Sequence, residues 1–184
     1  LGGNIGRASP ASDMAPPLLV LEARVSVRGP GGTRDLPLES IFAGPGRTTL
    51  LPGEVITSFF LPELPSPSGA VYLKLGRREG MDLALVGVAV FLRLAAGKNE
   101  ALDARIALAS VAPTPVRATR AEAELLSGPL TEARVRSAAL AAASDASPLS
   151  DLRASASYRR EMIRVLTFRA IEQARQRAAG GIAS

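Results

Sequence analysis

The segment Leu83–Leu94 is almost continuously apolar, and it restricts the fold of this chain more than any other stretch. A buried helix and a buried strand both fit such a run, because its periodicity does not separate them. The β-branched and aromatic side chains of the segment favour a strand, because such residues are enriched in strands. The turn Gly97-Lys98-Asn99 then predicts a hairpin with another strand at Ala104–Val111.

Shorter strand patterns precede this segment. The predicted strands are Ala23–Arg28, Thr33–Leu38, Glu54–Leu61 and Ala70–Leu75. The first two are joined by a turn at Gly29-Pro30-Gly31-Gly32. Nearer the N-terminus, Leu1–Ser9 is predicted to be a glycine-containing turn. After it, Ser12 or Asp13 is expected to cap a short helix that reaches Leu21.

The C-terminal third of the chain has helical patterns and capping residues. The predicted helices are Arg120–Leu126, a second from Thr131 or Glu132 to Ala143, and a third from Ser155 or Ser157 to near Gly180. Thr119 and Glu122 have the spacing of a capping box for the first of them. The third helix carries an apolar stripe at i+4 spacing, formed by Met162, Leu166, Ala170 and Ala174.

This order of elements, with strands first and helices second, predicts an α+β fold. We expect the second half of the chain to form a three-stranded antiparallel sheet covered by helices on one face. The segment Leu64–Gly69 is rich in proline and serine, which favours a domain boundary. The predicted domains are therefore residues 1–66 and residues 67–184.

The chain has 184 residues without a single cysteine or histidine, which excludes several classes of site. Zinc–thiolate sites and iron–sulfur clusters need cysteine ligands, and Ser-His-Asp or Cys-His hydrolases need an imidazole. We therefore predict neither a catalytic side chain nor a metal ligand in this chain. Any redox chemistry has to belong to a bound organic cofactor.

The net charge of +5 is carried almost entirely by arginine, since Lys74 and Lys98 are the only lysines. The arginines are scattered and aromatic residues are few, so we expect no nucleic-acid partner. A membrane span is not expected, because no run of 18 uncharged apolar residues occurs. No signal-peptide pattern is visible. The first residue is Leu1 rather than methionine, so we expect a processed chain or a fragment.

The neighbouring glycines Gly2 and Gly3 are candidates for binding a ligand. Glycine lets the backbone approach an anion closely, because no Cβ blocks the N–H groups. Asn4 adds a side-chain amide, and Asp13 can accept hydrogen bonds from ribityl or ribose hydroxyls. The same residues also fit a plain turn in which Asp13 caps the following helix.

Four stretches, taken in order, resemble the FAD-binding medium subunits of the molybdenum hydroxylases, the xanthine dehydrogenase and carbon monoxide dehydrogenase family. They are Leu1-Gly2-Gly3-Asn4-Ile5 with Ser12-Asp13, the stretch Phe42–Pro62, the stretch Tyr72–Ala84, and Tyr158-Arg159-Arg160 with Arg169-Ala170. The resemblance covers the chain from its first residue to about Ala178. It implies the end of a PCMH-type FAD-binding domain followed by a flavoprotein C-terminal α+β domain. The family's first glycine-rich FAD loop is not part of this sequence.

The resemblance also implies roles for individual residues. The implied FAD ligands are Gly2, Gly3, Asn4 and Asp13. Ile56 would pack beside the flavin, although it also fits an ordinary buried aliphatic residue on a strand. Lys74 would lie near the isoalloxazine ring, where a cation can stabilise an anionic reduced flavin. Lys74 also fits a solvated lysine at a strand edge.

The function that the resemblance implies is electron transfer in a cytoplasmic oxidoreductase. FAD would receive electrons from an iron–sulfur subunit and pass them to an external acceptor, while a molybdenum cofactor subunit hydroxylates the substrate. The absence of cysteine agrees with this division, because the clusters then belong to another chain. The alternative is a non-enzymatic α+β interaction module whose arginine-rich helices bind an acidic partner.

Overall fold

A computed structural model of the chain describes residues 1–78 and 82–180. The N-terminal half contains α1 (Gly2–Gly6), α2 (Ala15–Val20), β1 (Arg24–Gly29), β2 (Gly32–Pro37), β3 (Phe42–Gly44), β4 (Arg47–Thr48) and β5 (Val55–Phe60). The C-terminal half contains β6 (Ser68–Leu75), β7 (Val86–Leu94), β8 (Ala101–Ala109), β9 (Val116–Arg117), α3 (Thr119–Leu126), α4 (Glu132–Asp145) and α5 (Ala156–Ala178). The predicted α+β class is confirmed. Residues 181–184, at the end of the second predicted domain, lie outside the described residues.

The N-terminal half is built on an antiparallel sheet with the strand order β2-β1-β5. Alternation along β1 buries Val25 and Val27 and exposes Arg24 and Arg28, as the sequence pattern predicts. The buried valines pack with residues of α1, of α2 and of the turn after β2, which include Ile5, Leu18, Leu19, Leu38 and Ile41. A small core therefore lies between this sheet and the two short helices.

The C-terminal half is built on an antiparallel sheet with the strand order β6-β7-β8-β9. The prediction of three strands was wrong by one, because β9 adds a fourth. β9 pairs only Val116 and Arg117 with the end of β8. Two residues are too few to show the alternation by which a strand is recognised in a sequence.

Strand β7 is the centre of the molecule and is buried on both faces. Its valines and Leu92 face α5 and belong to one core with buried residues of α3 and α4. Its opposite face, which carries Ala89 and Phe91, packs against α2 of the N-terminal half. Burial on both faces explains why this segment is almost continuously apolar, and the predicted strand is confirmed at Val86–Leu94.

Helix α5 lies directly on the sheet through the predicted apolar stripe. Ala170 and Ala174 are fully buried, Leu166 is nearly so, and Met162 is partly buried. Gly69 of β6 lies beneath the last turns of the helix, where an added Cβ would stand 2.3 Å from the carbonyl oxygen of Ala174. The absence of a side chain at this glycine therefore allows the helix to approach the strand.

Of the N-caps predicted for α3, α4 and α5, two are present and one is not. The hydroxyls of Thr131 and Ser155 accept hydrogen bonds from the third residue after each, as N-cap residues do. The capping box at Thr119 was wrong, because Ala118 precedes α3 without a side-chain cap. The Glu122 carboxylate instead accepts from the amide of Ile106 at 2.8 Å and from Arg117 Nε at 2.6 Å. Glu122 is buried beside β8, where one of its partners is the charged guanidinium of Arg117. A hydrogen bond between two charged groups is stronger than one to a backbone amide at the start of the helix.

Of the predictions for the first 21 residues, the short helix that reaches Leu21 is confirmed as α2, whose C-cap is Leu21, whereas the plain turn and the helix cap were wrong. Leu1–Ser9 contains the short helix α1 and is not a plain turn. Met14 precedes α2, and neither Ser12 nor Asp13 caps it. The reason lies in Pro16 and Pro17, which occupy the first turn of α2. A capping side chain needs an N–H group at that position, and proline has none.

None of the helices in the described ranges has both the length and the apolar character that crossing a bilayer requires.

Candidate functional site

Helix α1 carries three of the predicted ligands and lies against β5. Ile5 fixes it from beneath, because this side chain is fully buried in the N-terminal core. Gly2 lies next to the predicted flavin-packing residue, since a Cβ added to it would be 3.9 Å from the carbonyl oxygen of Ile56. A Cβ added to Gly3 would have no protein atom within 4 Å. The glycine side of α1 therefore borders open space beside β5.

Asn4 joins α1 to the segment that carries Asp13. The buried hydroxyl of Ser12 donates a hydrogen bond to Asn4 Oδ1. This bond occupies the side-chain oxygen of Asn4, whose amide nitrogen has two further hydrogens to donate. Asn4 is itself exposed. It is therefore held by its oxygen while its nitrogen can serve a ligand.

Asp13 and Lys74 form an ion pair, although 61 positions separate them in the sequence. Lys74 Nζ lies 2.7 Å from Asp13 Oδ2, and the hydroxyl of Tyr72 donates to Asp13 Oδ1 at 3.1 Å. Burial raises the pKa of Tyr72 well above its usual range, and the negative charge of Asp13 raises it further. Tyr72 therefore stays protonated and keeps donating to Asp13.

Gly87 of β7 leaves the space that the side chain of Tyr72 occupies. A Cβ added to Gly87 would stand 2.8 Å from the hydroxyl oxygen of Tyr72. Gly87 belongs to the same face of the sheet as the small residues Ala89, Ala107 and Ala109. Small side chains on this face allow α2 and the Asp13 segment to approach the sheet closely.

The structure brings the six predicted site residues into two linked groups. Gly2, Gly3 and Asn4 lie on α1, with Gly2 beside Ile56 of β5. Asp13 and Lys74 form the second group, and the Asn4–Ser12 hydrogen bond connects the two groups. Their roles as cofactor ligands stay predictions.

Three residues of this region were not predicted as part of the site, namely Ser12, Tyr72 and Gly87. Tyr72 was detectable, because it lies two positions before Lys74 on a predicted strand and so faces the same side. Ser12 and Gly87 gave no such signal, since their contacts depend on the packing of distant segments. No cluster of three or more potential metal ligands occurs in residues 1–78 and 82–180.

Comparison with protein families matches both halves of the chain. Residues 1–64 match the family described as FAD binding domain in molybdopterin dehydrogenase. Residues 71–174 match the family described as CO dehydrogenase flavoprotein C-terminal domain. The chain belongs to the CO dehydrogenase flavoprotein family. The resemblance seen in the sequence motifs is thereby confirmed.

Individual members of the CO dehydrogenase flavoprotein family are similar over nearly the whole chain. The xanthine dehydrogenase FAD-binding subunit of Escherichia coli O157:H7 is 32% identical over 98% of this chain. The carbon monoxide dehydrogenase medium chain of Afipia carboxidovorans is 34% identical over 97%. This chain spans 61% of the length of each of these two proteins.

A solved structure shows the same fold. Carbon monoxide dehydrogenase from Hydrogenophaga pseudoflava, in a form that lacks the Mo-pyranopterin moiety of its cofactor, superimposes with a TM-score of 0.91 at 36% sequence identity. The match covers 96% of this chain and 60% of that one. The arrangement of the two halves described above is therefore that of this family.

Proposed function

We propose that this chain is part of the FAD-binding subunit of a molybdenum hydroxylase, an oxidoreductase complex. In this proposal, electrons pass from iron–sulfur clusters of a partner subunit through FAD to an external acceptor. The observation that carries it is the juxtaposition of open glycines, Asn4, Asp13 and Lys74 in a chain of the CO dehydrogenase flavoprotein family. The domain division at residues 66 and 67 is part of the same proposal.

The residues present fit an FAD molecule. On the side of Gly3 where a Cβ would project, no atom beyond its chain neighbours and the backbone of α1 lies within 4 Å of that Cβ position, which leaves space for an anion such as a pyrophosphate. The amides of Gly2 and Gly3 are in the first turn of α1, where helical N–H groups have no acceptor within the helix. Asn4 offers amide hydrogens to the same region. When bound, FAD supplies the electron-accepting and electron-donating chemistry.

In this proposal, the Asp13–Lys74 ion pair orients the FAD and supplies a positive charge beside it. Asp13 keeps lone pairs free for ribityl or ribose hydroxyls after it has bound Lys74 and Tyr72. The ammonium group of Lys74 favours negative charge near it, which stabilises a reduced flavin. Ile56 adds an apolar contact beside Gly2. None of these side chains has to transfer a proton.

The partners follow from the same proposal. The iron–sulfur clusters require cysteine ligands, and this chain contains none, so the proposal assigns the clusters to a partner subunit. Hydroxylation of the substrate is assigned to a molybdenum cofactor in a further subunit, and the complex to the cytoplasm. The rival interaction module is less well supported, because arginines of α4 and α5 already pair with acidic residues on the same helix. These pairs are Arg136–Glu132, Arg164–Glu161 and Arg175–Glu172.

Substitution of Gly3 by valine tests the cofactor site. A Cβ added at Gly3 meets nothing within 4 Å, so a loss of FAD in a folded variant reports on the ligand and not on a clash of this atom within the fold. We expect the full-length subunit with Gly3→Val to retain at most about a tenth of the wild-type flavin, because the side chain enters the space assigned to the pyrophosphate. Absorbance of the purified subunit measures its flavin content.

Gly6→Val is the matched control. Gly6 is on the same short helix, and a Cβ added there also meets no protein atom within 4 Å. We expect this variant to keep its flavin. A folded Gly3→Val subunit with a full complement of FAD would show that the glycines do not line the cofactor site.

A further inference from the structure

Tyr72 and Lys74 lie two positions apart on β6, so their side chains leave the strand on the same face. Both reach Asp13, which lies in the loop between α1 and α2. The hydroxyl of Tyr72 donates to Asp13 Oδ1 at 3.1 Å, and Lys74 Nζ lies 2.7 Å from Asp13 Oδ2. One strand therefore holds the carboxylate at both of its oxygens. We name this arrangement of Asp13, Tyr72 and Lys74 the carboxylate clamp.

The two side chains that hold Asp13 differ in rigidity. Lysine carries its ammonium group on a flexible four-carbon stem, so an ion pair with Lys74 alone would let the carboxylate turn. The ring of Tyr72 packs against the N-terminal core, and its hydroxyl oxygen would be 2.8 Å from a Cβ added to Gly87. Tyr72 is therefore the rigid member of the carboxylate clamp, and its hydroxyl fixes the plane of the carboxylate.

The carboxylate of Asp13 is still accessible to a ligand. The side chain of Asp13 is 44% exposed, compared with 24% for Lys74. An ionised carboxylate can accept about four hydrogen bonds, and the clamp accounts for two of them. The carboxylate repels a second anion, so its free lone pairs suit neutral donors such as hydroxyl groups. The clamp fixes the directions in which these lone pairs point.

We propose that Tyr72 is a positioning residue of the candidate cofactor site. It acts through Asp13, whose free lone pairs it aims at hydroxyl groups of FAD. The inference rests on the proposed function, because it requires FAD at this site. Without the tyrosine hydroxyl, Asp13 is held by Lys74 alone, and the hydroxyl groups of FAD meet an acceptor that has to be ordered on binding.

Tyr72→Phe in the full-length subunit tests the proposal, because phenylalanine keeps the ring and removes only the hydroxyl. We expect the dissociation constant for FAD to rise about tenfold, since a pre-oriented acceptor is lost. Titration of FAD into the flavin-free subunit, followed by flavin fluorescence, measures this constant. Tyr158→Phe is the matched control, because Tyr158 is the other of the two tyrosines and is exposed on α5. Its dissociation constant should equal that of the wild type.

A double-mutant cycle with Asp13→Ala separates positioning from packing. If Tyr72 acts through Asp13, Tyr72→Phe should not raise the dissociation constant further once residue 13 is alanine. The reduction potential of the bound flavin should also change less in Tyr72→Phe than in Lys74→Met, because the ion pair is kept. A loss of affinity that is equally large in the Asp13→Ala background would refute the positioning role, since the tyrosine would then act by packing alone.

The hydroxyl groups that Asp13 binds have two possible sources in FAD, the ribityl chain and the ribose. Analogues of FAD without the ribityl hydroxyls and analogues without the ribose hydroxyls distinguish these sources. We expect the effect of Tyr72→Phe to disappear with one of the two series. An effect that persists in both would overturn the proposal, because Asp13 would then bind no hydroxyl group.

The proposal can fail without the proposed function. An unchanged dissociation constant in Tyr72→Phe would show that the tyrosine does not position Asp13 for FAD. Loss of flavin in Gly3→Val would still support the cofactor site in that case. Retention of flavin in Gly3→Val would instead count against the cofactor site itself.

Discussion

Replacement of Gly69 by alanine tests how α5 is seated on the sheet. Gly69 faces the helix from β6, and an added Cβ would stand 2.3 Å from the carbonyl oxygen of Ala174 and 2.6 Å from the amide nitrogen of Ala178. Both contacts are with helix backbone, which cannot rotate away as a side chain can. The last turns of α5 would therefore have to move away from β6 by roughly 1 Å to reach normal contact distances.

The expected loss in free energy of unfolding follows from this displacement. Overpacking of a well-packed core costs about 1–3 kcal/mol, and contacts with rigid backbone place this variant near the upper end. Alanine also reduces the entropy of the unfolded chain, which returns about 0.4–1 kcal/mol. The net loss in free energy of unfolding is therefore about 2 kcal/mol. For a protein of this size, that corresponds to a thermal midpoint lowered by roughly 4–8 °C.

Thermal unfolding followed by circular dichroism on the full-length subunit measures this effect. Gly31→Ala is the control, because Gly31 lies in the turn between β1 and β2 with no protein atom within 4 Å of an added Cβ. Its midpoint should stay close to that of the wild type or rise slightly. A Gly69→Ala subunit as stable as the control would refute the close packing of α5 against β6.

Two further predictions concern charged side chains. Lys74→Met in the flavin-loaded subunit should lower the flavin reduction potential by about tens of millivolts, because it removes a cation and leaves Asp13 without its partner. Potentiometric titration measures this shift, and an equal shift in Lys98→Met, the variant of the other lysine, would contradict it. Because the pKa of Asp151 is lowered in the folded chain, chiefly by hydrogen bonds from the Arg153 side chain, this carboxylate stabilises the fold above its unfolded pKa. The stability that Asp151→Asn loses should therefore be largest at neutral pH and shrink below about pH 4; denaturation curves that show the same difference from pH 7 to pH 3 would contradict this assignment.

Local sequence patterns predicted most of the secondary structure, because the interactions that start and stop these elements lie within a few residues. Thr131 and Ser155 cap their helices as predicted, and β1 alternates as predicted. The prediction failed where a distant partner competed for the same side chain. Glu122 is the clearest example, since its carboxylate binds the amide of Ile106 in place of the start of α3.

The candidate site was predicted as a set of residues but not as an arrangement. Through a family resemblance, the sequence predicted Gly2, Gly3, Asn4, Asp13, Ile56 and Lys74 as candidate site residues, and their roles stay predictions. It did not show that Asp13 pairs with Lys74 and Tyr72, because 61 and 59 positions separate these residues.

The tertiary structure alone decided the double burial of β7 and the close approach of the two halves. The apolar side chains of Leu83–Leu94 predicted a buried segment, but they did not predict which elements of the fold cover each of its faces. α2 can reach the second face because Ala89 and Ala107 leave space there, while Gly87 makes room for Tyr72, whose hydroxyl binds Asp13. A sequence pattern records which side chains are apolar or small, whereas the surfaces they meet are determined only when the whole chain has packed.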